Sequence, residues 1–414
     1  MQRIEAGVLI PGRGEVVLDG CVVLDGAAIA YAGPAAGAPA TPGAEVLRVP
    51  AVMPGLWDCH AHFFGAKGAD PVAWALEPVA VAAMRVAGDA RAALDAGFTS
   101  VREVGGLGIF LARAVADGSV VGPSVYAAGT MLSPTGGHGD LHMLPDEWVC
   151  DLARRSGLGG LCDGEPECLR AVRLQLRAGA RLIKVCASGG VTSQVDDPMH
   201  QQFSDAELRA IVEEAGRAER VVAAHCHGKA GIMAALRAGV RTIEHGSYLD
   251  DEAADAMLDS GAILVPTRLI CEELLAHGAA GGLPDYAYQK LVALARRHEE
   301  ALELAIARGV RVALGTDIGF TGRGLAPWGS NGAELTHLVA AGMTPLQAIE
   351  AGTATAPSTL GPQAPSSGLL AAGCDADVLG LAADPSQDVS VLADPANVTH
   401  VVRAGVLVKS PQPR

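Results

Sequence analysis

The 414-residue sequence lacks any apolar run of about 18 residues, the length that a membrane-spanning helix requires. Its first ten residues also lack the uninterrupted apolar segment of a signal peptide. We therefore expect neither a membrane span nor a signal peptide, and a cytoplasmic location. A membrane is not an expected partner.

Basic residues are few, and they form no block or stripe. The chain has 31 Lys and Arg against 46 Asp and Glu, which gives a net charge of -15. Such a balance argues against nucleic acid as a partner. With 50% hydrophobic and 19% charged residues, the composition is typical of a well-buried globular protein of enzyme size.

The nine cysteines lack the spacing of a disulfide framework. Several lie inside strand-like runs, where a buried free thiol is the ordinary interpretation. Cys162 and Cys168, with Cys150 nearby, leave two alternatives open, a loop disulfide and a thiolate metal clip. Their spacing matches no zinc-ribbon pattern, and the role of these three cysteines stays undecided.

What the sequence does contain is a pair of histidines, His60 and His62, at the end of the apolar run 52–62. Side chains at positions i and i+2 of a strand project to the same face, so both imidazoles can bind one ion. The pair predicts a metal site. Two hydrogen-bonded strand histidines without a metal are the alternative.

Four further apolar runs contain or end in a side chain of ligand type and break at or near a glycine. These side chains are Lys184, His225, His245 and Asp317. Because the runs read as strands, residues able to bind a metal occur repeatedly at the carboxyl-terminal ends of predicted strands.

From residue 56 the chain alternates short apolar strands with Ala/Leu/Arg-rich helical stretches, a pattern typical of parallel α/β proteins. One helix is predicted over 204–214, where a Ser-x-x-Glu capping box opens it. The eight predicted strands are 56–62, 98–104, 124–131, 181–187, 220–226, 241–245, 262–266 and 310–316. Eight such units predict a TIM (β/α)8 barrel over 56–366, whose active face lies at the carboxyl-terminal strand ends.

The two ends of the chain predict short strands and turns, and neither end has enough strands to bury a face by itself. We expect residues 1–55 and 367–414 to form one small β-sandwich beside the barrel. The loose stretch 361–368 is a candidate boundary between the two units.

The order of these residues resembles that of the amidohydrolase superfamily: HxH after strand 1, Lys after strand 4, His after strands 5 and 6, and Asp after strand 8. The resemblance covers essentially the whole chain. Finer similarity lies in 135–140, 187–191, 196–198, 244–249 and 341–345. These segments resemble the branch of prolidase-like Xaa-Pro dipeptidases, arginine/lysine carboxypeptidases, ochratoxin-type amidases and imidazolonepropionase-related proteins.

The resemblance implies a binuclear centre of two divalent ions, with Zn²⁺ as the expected metal. The implied ligands are His60, His62 and Asp317 for one ion, His225 and His245 for the other, and Lys184 as the bridge. The ions are expected to produce a bridging hydroxide at neutral pH. Asp317 would then accept its proton and pass it to the departing amine.

Lys184 lies inside the apolar run Leu-Ile-Lys-Val-Cys, where an ammonium group is hard to solvate. A lysine buried beside histidines is a poor cation and a good nucleophile toward carbon dioxide, so N-carboxylation would convert it into a bridging anion. The alternative is a salt bridge from Lys184 to Asp317 or to a loop acid.

Four further residues are candidates for contact with substrate. His138, on a glycine-flanked loop, can approach a substrate carbonyl as an oxyanion donor, or it only fixes the loop. Tyr248 is a second catalytic candidate by resemblance to the dipeptidases, with a packed rim tyrosine as the alternative. His227 is expected behind the metal or facing substrate. Arg268 would bind a substrate carboxylate or form a surface ion pair.

We therefore expect a metal-dependent hydrolase that cleaves an amide or peptide bond in a dipeptide or an N-acyl amino acid. A cyclic amide, a urea or a carbamate is the alternative substrate. The third possibility is a scaffold protein that has lost its ligands, which the intact ligand set disfavours. The expected partners are a small-molecule or dipeptide substrate and further copies of the chain in a homo-oligomer.

Overall fold

A computed structural model describes residues 1–322 and 325–411. Its strands are β1 Gln2–Leu9, β2 Val17–Asp25, β3 Ala28–Pro34, β4 Glu45–Pro54, β5 Leu56–Ala66, β6 Phe98–Glu103, β7 Ser124–Ala127, β8 Leu132–Ser133, β9 Gly160–Leu161, β10 Ile183–Cys186, β11 Val222–Cys226, β12 Thr242–His245, β13 Ile263–Val265, β14 Ile318–Phe320, β15 Val378–Leu381, β16 Val398–Arg403 and β17 Val406–Lys409. Its α-helices are α1 Pro71–Leu76, α2 Val79–Asp95, α3 Gly108–Ala116, α4 Asp146–Ser156, α5 Gly164–Ala178, α6 Asp205–Gly216, α7 Lys229–Ala238, α8 Asp251–Ser260, α9 Arg268–His277, α10 Asp285–Ala307, α11 Ala333–Ala340 and α12 Pro345–Ala351. Among these described helices, none has an apolar stretch of the length that a membrane crossing requires.

The central part of the chain forms two parallel sheets with helices between their strands, which confirms the α/β class. One sheet has the order β14-β5-β6-β7 and the other β13-β12-β11-β10-β8-β9. Backbone hydrogen bonds link the sheets on both sides. On one side Arg181 donates to Ala127 (2.8 Å). On the other side Cys59 of β5 donates to the Leu314 carbonyl (2.8 Å), and the adjacent Ala313 donates to the Leu264 carbonyl of β13 (2.9 Å). The ladders do not form one closed sheet, so the TIM barrel stays a prediction that this arrangement supports.

Seven of the eight predicted strand runs contain a strand, and 310–316 does not. Within that run only an isolated bridge joins Val312 to Leu264, and β14 begins two residues beyond it. The chain turns at Asp317, whose φ of 58° interrupts the extended backbone. The predicted capping box is confirmed, because Ser204 and Glu207 exchange hydrogen bonds at the start of α6.

The helices return the chain to the sheet through glycine-terminated turns. Gly179, Gly239 and Gly261 follow α5, α7 and α8 with φ values of 100°, 90° and 67°. This left-handed conformation costs glycine little and ends a helix within one residue. Each turn leads directly into the next strand, which keeps the strand ends in register at one edge.

Both ends of the chain contribute to a single sheet of order β17-β16-β15-β4-β1-β2-β3. Its two faces differ: Val52 and Val378 belong to a small core of this sheet, whereas Met53 and Leu379 pack into the main core. All seven strands share one sheet, so the expected β-sandwich, which needs two facing sheets, is not confirmed. The boundaries 1–55 and 367–414 stay a prediction.

All nine cysteines are free thiols. Cys150 is exposed, whereas Cys162 and Cys168 are buried with their sulfur atoms 3.8 Å apart. The structure therefore shows no loop disulfide between them.

Candidate active site

One cavity lies at the carboxyl-terminal ends of the central parallel strands. Eight of the ten residues predicted for the site line it, namely His60, His62, His138, Lys184, His225, His227, His245 and Asp317. Tyr248 and Arg268 are not among the described residues that line it. The folding of the parallel strands thus collects side chains from six separate stretches of sequence.

The first group of ligand atoms comes from β5 and the turn before β14. Asp317 Oδ1 lies 3.1 Å from His62 Nε2 and 3.5 Å from His60 Nε2. His60, His245 and Asp317 each offer one ligand atom within 4.8 Å of the others. Burial raises the pKa of Asp317, but neighbouring His60, His62 and Lys184 outweigh it and lower the pKa to about 2. An ionised carboxylate is the form that binds a metal.

Hydrogen bonds at Nδ1 fix the orientation of both strand-β5 histidines. His60 Nδ1 lies 2.7 Å from Glu244 Oε2, and His62 Nδ1 lies 2.8 Å from the Gly105 carbonyl oxygen. Because Nδ1 donates to an oxygen in each case, the lone pair is on Nε2, which faces Asp317. Both rings are therefore prepared to bind a cation on the same side.

A buried arginine holds Glu244 in place. Arg102 Nη2 donates to both Glu244 oxygens at 2.7 and 2.8 Å, and Nη1 donates to Thr242 Oγ1 at 3.0 Å. Burial raises the pKa of Glu244, but Arg102 and His60 outweigh it and hold that pKa well below its ordinary value. The sequence analysis missed this pair. Its signal was a charged residue inside each of two apolar runs, β6 and β12.

The second group consists of His225, His227 and His245, whose ligand atoms all lie within 4.8 Å of one another. Each ring has one nitrogen engaged: His225 Nε2 with the Gly189 carbonyl oxygen (3.2 Å), His227 Nδ1 with Ser247 Oγ (2.7 Å) and His245 Nδ1 with a threonine hydroxyl (2.7 Å). The structure thus places His227 beside the two predicted ligands, on the same face.

Burial keeps these histidines neutral. It lowers the pKa of His225 and His245 well below the usual 6.5 and that of His227 to about 3. Burial likewise lowers the pKa of His60 to about 4. A neutral imidazole has the lone pair that a metal ligand needs, so the group is competent to bind a cation at pH 7.

Lys184 is fully buried in the same wall, and its Nζ has no hydrogen-bond partner. Burial lowers its pKa. Among the described residues no carboxylate lies within ion-pair distance of Nζ, so the salt-bridge alternative receives no support. A buried, unpartnered amine costs free energy unless a further group satisfies it. An N-carboxylated lysine that bridges two cations would remove that cost.

His138 approaches the cavity from the loop after β8. Its ring stacks on that of His225 with 4.2 Å between the centroids, and Nδ1 lies 2.9 Å from Ser193 Oγ. A Cβ atom at Gly190 would lie 2.1 Å from the His138 ring, so only glycine permits this approach. Burial lowers the pKa of His138 to about 4, which leaves the imidazole neutral.

The structure gives no support to substrate contact by Arg268 or Tyr248. The Arg268 guanidinium is buried, donates to the Ala295 carbonyl oxygen at 3.0 Å and pairs with Glu272. Arg268 thus forms an ion pair, which was the alternative to substrate binding, although its guanidinium is buried. Tyr248 is half-buried and packs against the main core, and its backbone N–H donates to the His227 carbonyl oxygen at 2.9 Å.

The turn that carries Asp317 is held by a carboxylate that the sequence analysis also missed. Asp58 accepts hydrogen bonds from Thr316 Oγ1 (2.5 Å), Asn331 Nδ2 (2.7 Å) and the His60 backbone N–H (3.1 Å). These bonds tie the turn to β5 and so place Asp317 against His60. Burial raises the pKa of Asp58 to about 6.

Three residues of the site have left-handed backbone conformations: His245 (φ 68°), Thr267 (φ 56°) and Asp317 (φ 58°). His245 ends β12, Thr267 follows β13 and Asp317 directly precedes β14, and the Thr267 hydroxyl also shares a hydrogen bond with His245 Nδ1. Such conformations cost about 1–3 kcal/mol for a residue other than glycine and persist where the surrounding structure imposes them. These backbone conformations direct the three side chains into the cavity.

The remaining lining of the cavity is largely apolar, and we call this part the apolar wall. It is lined by Phe64, Trp74, Met131, Leu141, Leu158, Ile270, Leu274, Leu291, Leu294 and Phe320. The Phe64 and Trp74 rings stack with centroids 5.5 Å apart, and Phe64 in turn stacks on the ring of His62 at 4.6 Å. An aromatic surface therefore begins directly beside a predicted metal ligand.

Neutral histidines, an ionised carboxylate and a buried lysine around one cavity are the side chains that metal-dependent hydrolases use. The sequence profile of the amidohydrolase family matches residues 51–408. The chain belongs to the amidohydrolase family.

Individual relatives cover nearly the whole chain. Ochratoxinase from Aspergillus niger is 45% identical over 423 residues, which cover 99% of this chain and 86% of that protein. Its crystal structure superposes with a TM-score of 0.91 at 43% identity, over 99% of this chain and 96% of that chain. A prolidase complexed with N-methylphosphonate-L-proline has a TM-score of 0.90 at 34% identity, over 99% and 100% of the two chains.

Proposed function

We propose that this protein is a binuclear metal-dependent amidohydrolase that cleaves the amide bond of a dipeptide or an N-acyl amino acid. One observation carries the proposal: neutral histidines, the ionised Asp317 and the unpartnered Lys184 line a single cavity. Similarity to an ochratoxinase and to a prolidase supports amide hydrolysis as the reaction class.

The side chains of the cavity fit two divalent cations, and zinc is our proposed metal because imidazole and carboxylate donors suit it. The proposed ligands are His60, His62 and Asp317 for one ion, His225 and His245 for the other, and N-carboxylated Lys184 between them. When bound, the ions would activate a water molecule and polarise the scissile carbonyl. The buried Lys184 Nζ, which has no hydrogen-bond partner, is the strongest sign that these residues fit two cations. As a carbamate between two cations, this side chain would have the partners that Nζ lacks.

Asp317 is the proposed proton carrier. Both nearby histidines contact its Oδ1, which leaves Oδ2 free to accept a proton from the attacking water. Its side chain is 25% exposed, against 1% for His60 and 9% for His62. The same oxygen can then deliver the proton to the departing amine.

His138 is the proposed donor to the developing oxyanion. His138 Nδ1 shares a hydrogen bond with Ser193 Oγ at 2.9 Å. The tautomer that we propose accepts this bond at Nδ1 and holds the imidazole proton on Nε2, as an oxyanion donor requires. Its low pKa keeps the imidazole neutral, so it donates without adding a charge next to the metal ligands. His227 is proposed to face substrate beside it.

The apolar wall indicates which substrates the cavity accepts. An apolar or aromatic group next to the scissile bond would bury its surface against Phe64 and Trp74. Among the described residues that line the cavity, Lys184 is the single lysine or arginine. This favours a second candidate, an uncharged cyclic amide, urea or carbamate, because a free substrate carboxylate finds no arginine there.

Metal content tests the site independently of substrate. Protein prepared with zinc and bicarbonate should hold about two ions per chain, and Lys184→Ala should lose most of them. Lys229→Ala is the matched control, since Lys229 is a surface lysine paired with Asp250. A folded Lys184→Ala protein that keeps both ions would refute the bridging role.

Substrate class is tested with N-acyl-phenylalanine, its carboxamide and a neutral lactam. Faster hydrolysis of the free acid supports the dipeptide and N-acyl amino acid assignment, and a lost charge contact should cost the amide about 2–5 kcal/mol in transition-state binding. Equal rates for acid and carboxamide, or activity on the lactam alone, would favour the uncharged class. No hydrolysis of any amide by zinc-loaded protein would contradict the proposed function.

A further inference from the structure

A second cavity of about 450 Å³ lies where the central sheets meet the terminal sheet. Its walls come from α3, β7, the turn after α5 and β16. None of its described lining residues lines the candidate active site. The floor is apolar and is built from Ile109, Ala112, Val115, Ala116, Val125, Ala127 and Ala178.

Three arginines, Arg113, Arg181 and Arg403, project from this wall. Among the described residues none of them has a carboxylate within 4.0 Å. The Nε atoms of Arg181 and Arg403 are buried and have no hydrogen-bond partner. Leaving a charged donor unsatisfied costs free energy. Arg181 and Arg403 both line the cavity, so further N–H groups of the two guanidiniums are the donors proposed for an acceptor there.

Two neutral hydroxyls lie beside the guanidinium groups. Ser124 Oγ accepts from Arg403 Nη2 at 3.2 Å, and the Arg181 guanidinium carbon lies 5.6 Å from the centre of the Tyr126 ring. Burial, followed by the charges of Asp375 and Asp377, raises the pKa of Tyr126 to about 12. The phenol is therefore protonated and is a further donor at neutral pH.

The acidic residues near the cavity form no ion pair with its arginines among the described residues. Asp375 and Asp377 are the carboxylates that act on Tyr126, and neither lies within 4.0 Å of the three arginines. Asp377 instead accepts the backbone N–H of Ala404 at 2.7 Å. Three arginines line the cavity against these two nearby carboxylates, which leaves an excess of positive charge there in a chain whose net charge is -15.

We propose that this cavity binds a small organic oxyanion. Its carboxylate or phosphate group would accept hydrogen bonds from Arg181, Arg403 and the Tyr126 hydroxyl, and its apolar body would contact the floor. Arg403 belongs to the terminal sheet, whereas Tyr126 belongs to β7 of the central sheets and Arg181 lies in the turn before β10. The bound anion would thus connect the two parts of the fold and stabilise both.

Isothermal titration calorimetry on the metal-loaded protein tests the site with phenyl phosphate, inorganic phosphate, benzoate and uncharged benzyl alcohol. We expect saturable binding of phenyl phosphate or benzoate, weaker binding of inorganic phosphate, and none of benzyl alcohol. Whichever aromatic anion binds more tightly identifies the headgroup. Arg181→Gln/Arg403→Gln should weaken binding at least tenfold, as expected when two charge-assisted hydrogen bonds are lost.

Arg241→Gln is the matched control, because Arg241 is a partly buried arginine outside the cavity that donates to the Ser358 carbonyl oxygen at 2.9 Å. It should bind the anion as the unmodified protein does. Tyr126→Phe, which keeps the ring stacked 4.9 Å from that of Trp57, should weaken binding less than the double variant. It also tests the proposal if the double variant does not fold.

Ligand-induced stabilisation provides a second measurement. Phenyl phosphate or benzoate should raise the melting temperature of the unmodified protein and not that of the double variant. Equal anion affinity in the two proteins would place the binding elsewhere and overturn the proposal. Equal binding of benzyl alcohol, or no saturable anion binding up to about 10 mM, would overturn it as well.

Discussion

The two cavities hold cationic side chains in opposite states. In the candidate active site burial lowers the pKa of His60 to about 4 and also lowers the pKa of Lys184, which favours the uncharged form of each group. In the second cavity the positive groups are arginines, whose guanidinium stays charged in a protein. A nitrogen with a lone pair binds a metal, whereas one with a permanent proton binds an anion.

Residue type and burial together create this difference. His225 and His245 are suited to bind a metal because they sit at buried strand ends, where desolvation favours the neutral imidazole. Arg102 is as deeply buried as any of them, yet it keeps its charge and is satisfied by Glu244. Arg181 and Arg403 lack such a carboxylate, and for that reason we assign them an external partner.

The largest effect in the candidate active site is expected from a change at Asp317, the ionised carboxylate in contact with both β5 histidines. Asp317→Asn should retain the fold and lower kcat at least about 100-fold, because the proton acceptor is lost. Steady-state kinetics on the best substrate measures this effect. Asp117→Asn, an exposed aspartate on a turn, is the control. Near-normal turnover by Asp317→Asn would exclude the proton-carrier role.

The second prediction distinguishes two adjacent histidines on one face. His225→Ala should lower the affinity for the second zinc about 100-fold, whereas His227→Ala should keep both ions and lose mainly kcat/KM. Zinc content after equilibration with a graded chelator measures the difference. Because His225, His227 and His245 all lie within 4.8 Å, the reverse result would move the ligand assignment to His227.

A smaller effect on metal affinity is expected from a change at Glu244, which contacts the ligand candidate His60 at its Nδ1 atom. Glu244→Gln keeps the shape of the side chain but removes the charge that accepts from His60 Nδ1 and Arg102. Metal affinity should fall about tenfold, as is common when the partner of a ligating histidine is changed. Glu213→Gln, on the exposed side of α6, is the control. Unchanged affinity would show that Glu244 serves only the packing of Arg102.

An effect of similar size, but confined to one class of substrate, is expected on the apolar wall. Trp74→Ala should lower kcat/KM for an aromatic substrate about tenfold and for a small aliphatic one hardly at all, since only the former buries its surface against that ring. Trp148→Ala, on an exposed tryptophan, should change neither value. A loss of the same size for both substrates would indicate a structural role for Trp74.

Local patterns in the sequence predicted much of this arrangement. Seven strand runs, the capping box at Ser204 and the gathering of His60, Lys184 and Asp317 at one edge follow from short-range periodicity. Two predictions for substrate contact, Arg268 and Tyr248, found no support, since their environment depends on α9, α10 and the packing of the main core. No spacing rule encodes such distant neighbours.

By itself the sequence determined the α/β class, the family and the set of ligand-type residues, because strand periodicity and the order of the motifs are local properties of the chain. Only the tertiary structure decided which groups lose their charge, that His227 lies beside His225, and that Arg102 supports His60 through Glu244. It also decided that Arg181 and Arg403, 222 positions apart, line one cavity. The physical reason is that desolvation, hydrogen bonding and charge pairing depend on distances between residues remote in sequence, which exist only once the strands have assembled.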